Sequence, residues 1–301
     1  MLLTLFTVLV VVFIYLHVVY HLKTCDDLEV YEMEVLPDKA KLEDLCNLRQ
    51  PLVFDYSNEE FIKCTPAHFS NDAFDLNVID SSNVAVPLSV AKAAALFEKS
   101  PYYTENNADF LKDTMLRRVY EQNDFPLRPP MVALINYDLI FGGKGATTKV
   151  KYTDHYRNYF MVVDGDVEVK LAPPRNDRFL NTQKDYQRNE FYSTMNAWDP
   201  DAQKSQEFSK VKFLTVHLKK GQTMYIPAYW WYTFKLNKGV VCAFHYKTFM
   251  NLVATLPDIC VGVMQRQNTK LVVANPVLTK ESIIPLLAKE LANPVLAKES
   301  I

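Results

Sequence analysis

The sequence has few glycines and no long block of one charge, and both shortages exclude classes of function. Seven glycines occur in 301 residues, and none belongs to a P-loop or a GxGxxG pattern, so the turns that cradle nucleotide phosphates are missing. The formal net charge is −2 without a basic block, which argues against nucleic acid as a partner. The GxSxG, HExxH and HxE…PCxxC patterns of other enzyme classes are also absent.

Cysteine is scarce, and its spacing is uninformative. The chain has five cysteines, Cys25, Cys46, Cys64, Cys242 and Cys260, with no CxxC pair. An odd number without close pairs predicts neither a disulfide framework nor a zinc cluster. No Asn-x-Ser/Thr glycosylation site occurs either. Both absences favour a reducing compartment for the globular part.

Charge is missing from the N-terminal segment. Residues 2–20 carry no charged side chain; at about 1.5 Å per helical residue they are long enough to cross a hydrocarbon layer of roughly 30 Å. We therefore expect a single-pass transmembrane helix. A cleaved signal peptide is the rival interpretation, but the segment lacks a basic start and a small-residue cleavage site. A buried core helix is the structural alternative, although the segment has no polar face.

Composition divides the rest of the chain. We expect a membrane anchor over residues 1–21, a charged stalk over 22–45, one domain over 46–270 and a repetitive tail over 271–301. The tail contains three nonamers, at residues 275–283, 284–292 and 293–301. Each is too short for a stable free helix, so the tail is expected to be flexible or marginally helical. It either docks on a partner or is a repeat expansion without a role.

Hydrophobic periodicity within the domain predicts a mainly β structure. Helices are expected over residues 88–99, 107–121 and 250–266. Strands are expected over residues 51–56, 74–79, 212–218, 223–228, 229–236 and 240–249. Residues 159–171 are predicted to form a hairpin turning at Asp164-Gly165, and residues 237–239 a second turn. Short antiparallel strands with tight turns are typical of a β-sandwich or barrel.

Two stretches, GKGATTKVKYTDHYRNYFMVVDGDVEVKLAPP (143–174) and GQTMYIPAYWWYTF (221–234), resemble the two signature segments of JmjC and related cupin-like domains. The resemblance extends over about residues 45–250 and is closest to membrane-anchored cupin-like proteins of large DNA viruses. It implies a double-stranded β-helix, the cupin or jelly-roll barrel, with flanking helices.

In active members of that family, two histidines and a carboxylate bind Fe(II), and a basic residue anchors 2-oxoglutarate. The resemblance places Tyr152 and Tyr232 where the histidines stand and Val167 where the basic residue stands. Asp154 retains the carboxylate. The resemblance also retains the structural Asn158 and the tryptophans Trp230 and Trp231, which with Val167 and His245 are candidates to line the old pocket.

These replacements disfavour iron chemistry. A phenol, with an ordinary pKa of about 10, must lose its proton before it ligates a metal well, whereas neutral imidazole binds Fe(II) readily. Loss of the cationic anchor removes a charge-assisted pair worth on the order of 1.5–3 kcal/mol. We therefore expect no catalytic residue, no metal and no cofactor.

Several alternatives remain at this stage. The two phenols either fill the cavity and hydrogen-bond each other or Asp154, or form an oxygen-rich ferric site with it. A 2-oxoglutarate-dependent oxygenase remains if histidine is supplied from elsewhere, with His155, His217 and His245 as candidates. Strand alternation would place His155 on the face opposite Asp154. The aromatic residues at 225–234 also suit a pocket for a small molecule or sugar.

The function expected from the sequence is a non-catalytic binding or structural module. It would be held on a membrane, with a viral membrane as one candidate and the globular part on the cytosolic or virion-interior side. It would present its surface or its old pocket to a protein partner.

Overall fold

The computed structural model describes residues 2–69, 74–79, 85–186, 189–199 and 208–267. The nonamer repeats at residues 275–301 lie outside the described residues, so the prediction made for the tail stays a prediction, as do the limits of the four parts of the chain.

The helices lie at the N-terminus and around the sheet. Their bounds are α1 Leu2–Leu22, α2 Lys39–Asn47, α3 Val90–Lys99, α4 Ala108–Asp113, α5 Arg117–Asn123, α6 Phe249–Ala254 and α7 Leu256–Gln267. Short 3-10 helices occur at Glu59–Cys64, Pro66–His68, Pro174–Phe179 and Phe208–Lys210. The predicted helix over 107–121 is two helices, because the chain reverses at Met115 with a φ of 61°.

The strands account for most of the remaining described residues. Their bounds are β1 Tyr31–Met33, β2 Leu52–Asp55, β3 Asp75–Ile79, β4 Ala85–Ser89, β5 Tyr103–Thr104, β6 Val132–Gly142, β7 Lys144–Thr147, β8 Lys151–Tyr152, β9 Arg157–Ala172, β10 Thr182–Asp185, β11 Glu190–Ser193, β12 Leu214–Lys219, β13 Gln222–Ile226 and β14 Trp231–Thr248.

One continuous hydrogen-bonded sheet joins these strands in the order β1-β2-β13-β9-β14-β6-β5-β3-β4. Strand β12 pairs with β9, β7 and β8 pair with β14, and β11 connects β8 to β10. The β1–β2 pair is parallel and the β9–β14 pair antiparallel, so the sheet is mixed. The prediction of a mainly β domain with flanking helices and one N-terminal apolar helix is confirmed.

The two segments predicted to be hairpin turns are not hairpin turns. Asp164 and Gly165 lie inside β9, and residues 237–239 lie inside β14. The halves of each strand do not pair with each other; β9 and β14 instead pair along both halves, with a register shift between Asn237 and Val240. A turn signal in each strand therefore makes a bend, and the two bends lie against each other. Gly165 has a φ of +69°, and a Cβ there would lie 2.6 Å from the Lys238 carbonyl oxygen.

Alternation along β14 separates the core into layers. Cys242 and Phe244 belong to the largest cluster, between the sheet and the helices. Val241 and Ala243, which alternate with them, belong to a second cluster, with Phe160 and Tyr232. Because successive side chains of a strand point to opposite faces, β14 forms the shared wall of both. The second cluster borders the candidate site.

The segment expected to be a stalk is attached to the domain. Within residues 22–45, β1 pairs with β2 and α2 begins at Lys39. Asp26 accepts a hydrogen bond from the backbone N–H of Arg175 at 3.0 Å, and Asp27 accepts one from Gln50 at 3.4 Å. The charges that suggested a solvated stalk are therefore used to hold the segment against the domain.

Helix α1 also packs on the domain at its C-terminal end. The His21 ring lies 5.0 Å from the Tyr156 ring, and its Nε2 lies 3.3 Å from the Thr248 hydroxyl. The Arg49 guanidinium lies over the rings of Tyr20 and Tyr156, at 5.4 and 4.8 Å. The rest of the helix is exposed, and by length and composition residues Leu3–Leu22 form one candidate membrane span, with a hydropathy of 2.4.

Candidate functional site

The tyrosines that replace the expected histidines lie on neighbouring strands but have different surroundings. Tyr152 of β8 stacks on Phe191, with ring centroids 4.9 Å apart, and meets Trp231 edge-on at 4.8 Å. Tyr232 of β14 is 2% exposed and packs against Phe160 at 5.2 Å. Among the described residues, no hydrogen bond joins the two phenols to each other or to Asp154, contrary to that expectation. Both phenols thus serve as packing groups.

Burial makes these phenols poor metal ligands. It raises the pKa of Tyr232 to about 12, despite the opposing effect of Lys151. Burial also raises the pKa of Tyr152, with Asp177 adding to the effect. Because metal binding needs the phenolate, the ferric site suggested by the sequence is disfavoured at neutral pH.

Asp154, the retained carboxylate, is already paired. Its Oδ2 lies 2.6 Å from Nζ of Lys247, and its Oδ1 accepts a hydrogen bond of 3.1 Å from Asn189. Both charged side chains are almost fully buried, at 2% and 7% exposure. Burial opposes ionisation, but His155 and Lys247 more than offset it and lower the pKa of Asp154. The carboxylate is therefore charged and neutralised by a lysine ammonium group at the place where a metal would compete.

Asn158 joins the connection before β9 to β14. Its Nδ2 donates to the carbonyl oxygens of His155 and Ile226, at 3.3 and 3.1 Å, and its Oδ1 accepts from the Thr153 hydroxyl at 2.9 Å. His245 Nδ1 lies 2.7 Å from the same Oδ1. Since this oxygen only accepts, Nδ1 of His245 carries the proton and Nε2 is the acceptor nitrogen.

His155 and His245 come together, which strand alternation did not predict for His155. Residues 153–156 are irregular, so alternation does not apply; His155 Nδ1 lies 3.7 Å from an Asp154 oxygen, not on the opposite face. The two imidazole rings are 5.2 Å apart. Burial lowers the pKa of His155 to about 4 and lowers that of His245 well below 6.5. Both rings are therefore neutral at pH 7.

His217, the third candidate ligand, is not part of this group. It lies on β12 opposite Glu168 and lines a different depression with Val53 and Gln222. Over the part of the chain that the structure describes, no group of three His, Cys, Asp or Glu side chains is arranged to hold a metal ion. The residues at the expected Fe(II) site, Tyr152, Asp154 and Tyr232, do not fit that ion.

A cavity of about 410 Å³ opens beside these residues. Aromatic and polar side chains both line it. The polar ones include Lys151, Glu105, Asn136, Asp138, His155 and His245, which are carried by β6, β8, β14 and the connections after β5 and before β9. Lys151 Nζ pairs with Glu105 at 2.5 Å and lies 5.9 Å from the centre of the Tyr232 ring. Burial raises the pKa of Asp138 to about 6, although the backbone N–H groups of Asn107 and Asn106 oppose it.

The other predicted pocket residues lie in the core. Val167 is 1% exposed and belongs to the same apolar cluster as Trp230 and Leu236, so no cation stands at the expected 2-oxoglutarate anchor. Trp230 and Trp231 are fully buried, and Trp231 also borders a second cavity with Tyr152 and Asp154. Of the five pocket candidates, His245 lines the main cavity. Asn158 positions the His245 ring through a hydrogen bond, and Val167, Trp230 and Trp231 are packing residues.

Sequence reasoning missed the polar residues of the cavity. Lys151 and Glu105 are buried ion partners 46 positions apart, and Asn136 donates to His155 from β6 at 3.2 Å. The one sequence signal for Lys151 is its place immediately before Tyr152, the first position of the matched motif.

Comparison with known proteins agrees with the resemblance. A family model described as a cupin-like domain matches residues 38–251. Over 95 residues the chain is 30% identical to HSPB1-associated protein 1 from Rattus norvegicus, Homo sapiens and Bos taurus. The matched segment is 31% of this chain and 20% of each relative, so the chain spans a fifth of the length of these curated relatives.

Proposed function

Because this chain belongs to the cupin-like domain family, we propose that it is a non-catalytic binding or structural module of that fold, attached to a membrane by α1. The observation that carries the non-catalytic part is the buried ion pair between Asp154 and Lys247. A carboxylate neutralised by an ammonium group at 2.6 Å has no free charge for a metal, and removing that lysine charge would be needed first.

The membrane part rests on the length and apolar character of α1. We place the protein in an internal membrane of a virus particle or in a host membrane, after the membrane-anchored viral proteins that the sequence resembles, with the domain on the reducing side. A protein is the expected partner. The curated relatives are named for association with HSPB1, and association is a role that needs no metal.

Iron binding tests the proposal. We would purify the full chain in detergent, titrate it anaerobically with Fe(II) by calorimetry, and follow 2-oxoglutarate consumption by mass spectrometry. We expect neither micromolar Fe(II) binding nor consumption. An enzyme with altered ligands, using His155 and His245, would show both, and that result would overturn the proposal.

A matched variant shows that the assay detects a restored site. Replacing Tyr152→His, Tyr232→His and Lys247→Met together returns two imidazoles and frees Asp154. We expect this triple variant to bind Fe(II) more tightly than the natural chain and than a Tyr31→His control, at an exposed position on β1 outside both cavities.

A second candidate function, binding of a small polar molecule or sugar, is favoured by the cavity. Its volume of about 410 Å³ exceeds the roughly 300 Å³ lower limit of typical ligand pockets. Lys151 and the two neutral histidines supply donors and acceptors beside aromatic rings. A thermal-shift screen of monosaccharides and small carboxylic acids should give hits that Lys151→Met abolishes and that Lys144→Met, at an exposed position on β7, retains. Hits unaffected by Lys151→Met would exclude this cavity.

A further inference from the structure

A groove separates the end of α1 from the domain. It has a volume of about 510 Å³. One wall is formed by Leu16, Tyr20 and their neighbours on α1, and the other by the turn at Pro130 and Met131 together with Phe249 and Met250 of α6. No lysine, arginine, aspartate or glutamate is among the described residues that line it. The groove is thus an apolar surface that begins on the candidate membrane span and continues onto the folded domain.

The domain side of this groove exposes large apolar side chains. Met131 is 73% exposed and Phe249 is 57% exposed. Val253 on α6 and Leu256 at the first position of α7 are also exposed, so exposed apolar side chains continue from the groove along α6 to the start of α7. We call Met131, Phe249, Val253 and Leu256 the apolar collar. A group of large exposed apolar side chains of this kind marks a contact with a membrane or with another protein.

The length of α1 decides between these occupants. The candidate span has 20 residues, which at about 1.5 Å per residue just match a hydrocarbon layer of roughly 30 Å. The span therefore needs its last turns at the boundary of the layer. Those turns are the ones in contact with the domain, because Leu16 to His21 line the groove opposite Met131 and Phe249. When α1 spans, the collar reaches the same depth.

We propose that the apolar collar is a second membrane contact, inserted into the interfacial layer of the bilayer that α1 crosses, with lipid filling the groove. This inference rests on the proposed membrane attachment. The tyrosines at the groove, Tyr20 and Tyr156, fit such a position, because aromatic rings with one polar end are enriched at membrane interfaces. The domain is consequently seated on the bilayer instead of being suspended above it.

Depth measurements on the full chain test this proposal. We would replace the accessible cysteines (Cys25→Ser, Cys260→Ser), keep the buried ones, and attach an environment-sensitive fluorophore at Met131→Cys or Phe249→Cys. Val11→Cys, on the exposed part of α1, reports insertion of the anchor. Lys220→Cys is the aqueous control. Lys220 pairs with Asp164, which at about 3.3 Å per residue lies more than about twenty ångströms along β9 from Tyr156 at the groove. Phosphatidylcholine vesicles would carry nitroxide quenchers at the headgroup, high on the acyl chain or near the end of the acyl chain.

We expect strong quenching at Met131 and Phe249 by the shallow quenchers and at Val11 by the deep one, little quenching at Lys220 by any of them, and no dependence on the protein-to-lipid ratio. Quenching at Val11 without quenching at Met131 and Phe249 would overturn the collar and leave the anchor standing. Absence of quenching at Val11 would overturn membrane attachment itself, and the collar with it. A blue shift at Met131 that grows with protein density, without lipid quenching, would show that a second copy of the chain covers the collar and would also overturn the proposal.

Discussion

At the scale of single residues, the partner of Asp154 determines what this carboxylate does. In an active relative it would ligate iron, whereas here Lys247 neutralises it inside the protein. Removing one member of a buried ion pair leaves the other charged and unpaired, which costs about 3–5 kcal/mol. We predict a loss of this size for Asp154→Asn, measured by denaturant unfolding of the full chain in detergent.

The control for that variant is Asp164→Asn, which removes an exposed pair with Lys220; such pairs contribute under about 1 kcal/mol. The double variant Asp154→Asn with Lys247→Met should regain part of the lost stability, since no charge is left unpaired. Equal small losses for Asp154→Asn and Asp164→Asn would show that the buried pair does not hold the site together.

The two cavity histidines predict a pH dependence of stability. Burial lowers the pKa of His155 to about 4 and that of His245 well below 6.5, so the unfolded chain binds protons that the folded chain does not. Stability must therefore fall as the pH drops from about 6.5 towards 4, by up to about 1.4 kcal/mol per pH unit for each histidine. The lowered pKa of Asp154 acts in a separate window, because its contribution is lost only below its ordinary value near 4.

Thermal unfolding of the full chain between pH 7.5 and 4.5 measures this dependence. The variant with His155→Gln and His245→Gln should have a flatter profile. His217→Gln, at an exposed position on β12, is the matched control and should keep the natural slope. A profile unchanged by the double variant would mean that these rings do not bind protons on unfolding.

The motif residues of the site were visible in the sequence, but their partners were not. Asp154 and Asn158 lie within one short stretch that resembles the family motif, and that resemblance identified them. Lys247 lies 93 residues beyond Asp154, and its side chain reaches the carboxylate because β14 pairs with β9. No local pattern marks such a lysine, since it comes at the end of a largely apolar and aromatic run like that of any core strand.

At the scale of elements, Gly165 shows why the predicted hairpins became bends. Asp-Gly is a strong hairpin signal when the flanking strands have only each other to pair with. Here each half of β9 pairs with β14, and the φ of +69° at Gly165 serves a bend shared by two long strands. The strand positions were predictable from alternation, whereas their continuity depends on pairing between residues far apart in sequence.

Two glycines allow the cost of backbone strain to be measured separately from the cost of steric contact. Gly165 lies in this bend of β9, and Gly145 lies on β7. A Cβ on Gly165 would lie 2.6 Å from the Lys238 carbonyl oxygen, whereas Gly145, with a φ of +79°, has open space around it. We predict that Gly145→Ala costs about 1 kcal/mol through its left-handed backbone alone and that Gly165→Ala costs clearly more. Thermal unfolding of the two variants gives the comparison, and equal losses would show that the close approach has no energetic weight.

At the scale of the whole molecule, the attachment of α1 to the domain distinguishes this structure from a stalked protein. The contacts at Tyr20 and His21 are made by Arg49, Tyr156 and Thr248. We predict a narrow distance distribution between spin labels at Val11 and Lys220, and a broader one after Arg49→Gln, because the guanidinium stacks on Tyr20 and Tyr156 together.

Arg117→Gln is the control for that measurement, since Arg117 forms an exposed pair with Glu121 away from α1. The labels are read by pulsed electron paramagnetic resonance on the full chain in detergent. A broad distribution in the natural chain would show that α1 and the domain move independently. The sequence did not predict the hydrogen bonds of Asp26 and Asp27, because their partners Arg175 and Gln50 come from other parts of the chain.

The contact between α1 and Tyr156 also affects how a solute reaches the cavity. Tyr156 touches α1, and the next residue back along the chain, His155, borders the cavity; adjacent Cα atoms are about 3.8 Å apart. With α1 in a bilayer, as proposed, this part of the cavity lining is tied one residue away from the contact that joins the domain to its anchor. Solutes that partition to the bilayer surface would then meet the cavity at a raised local concentration.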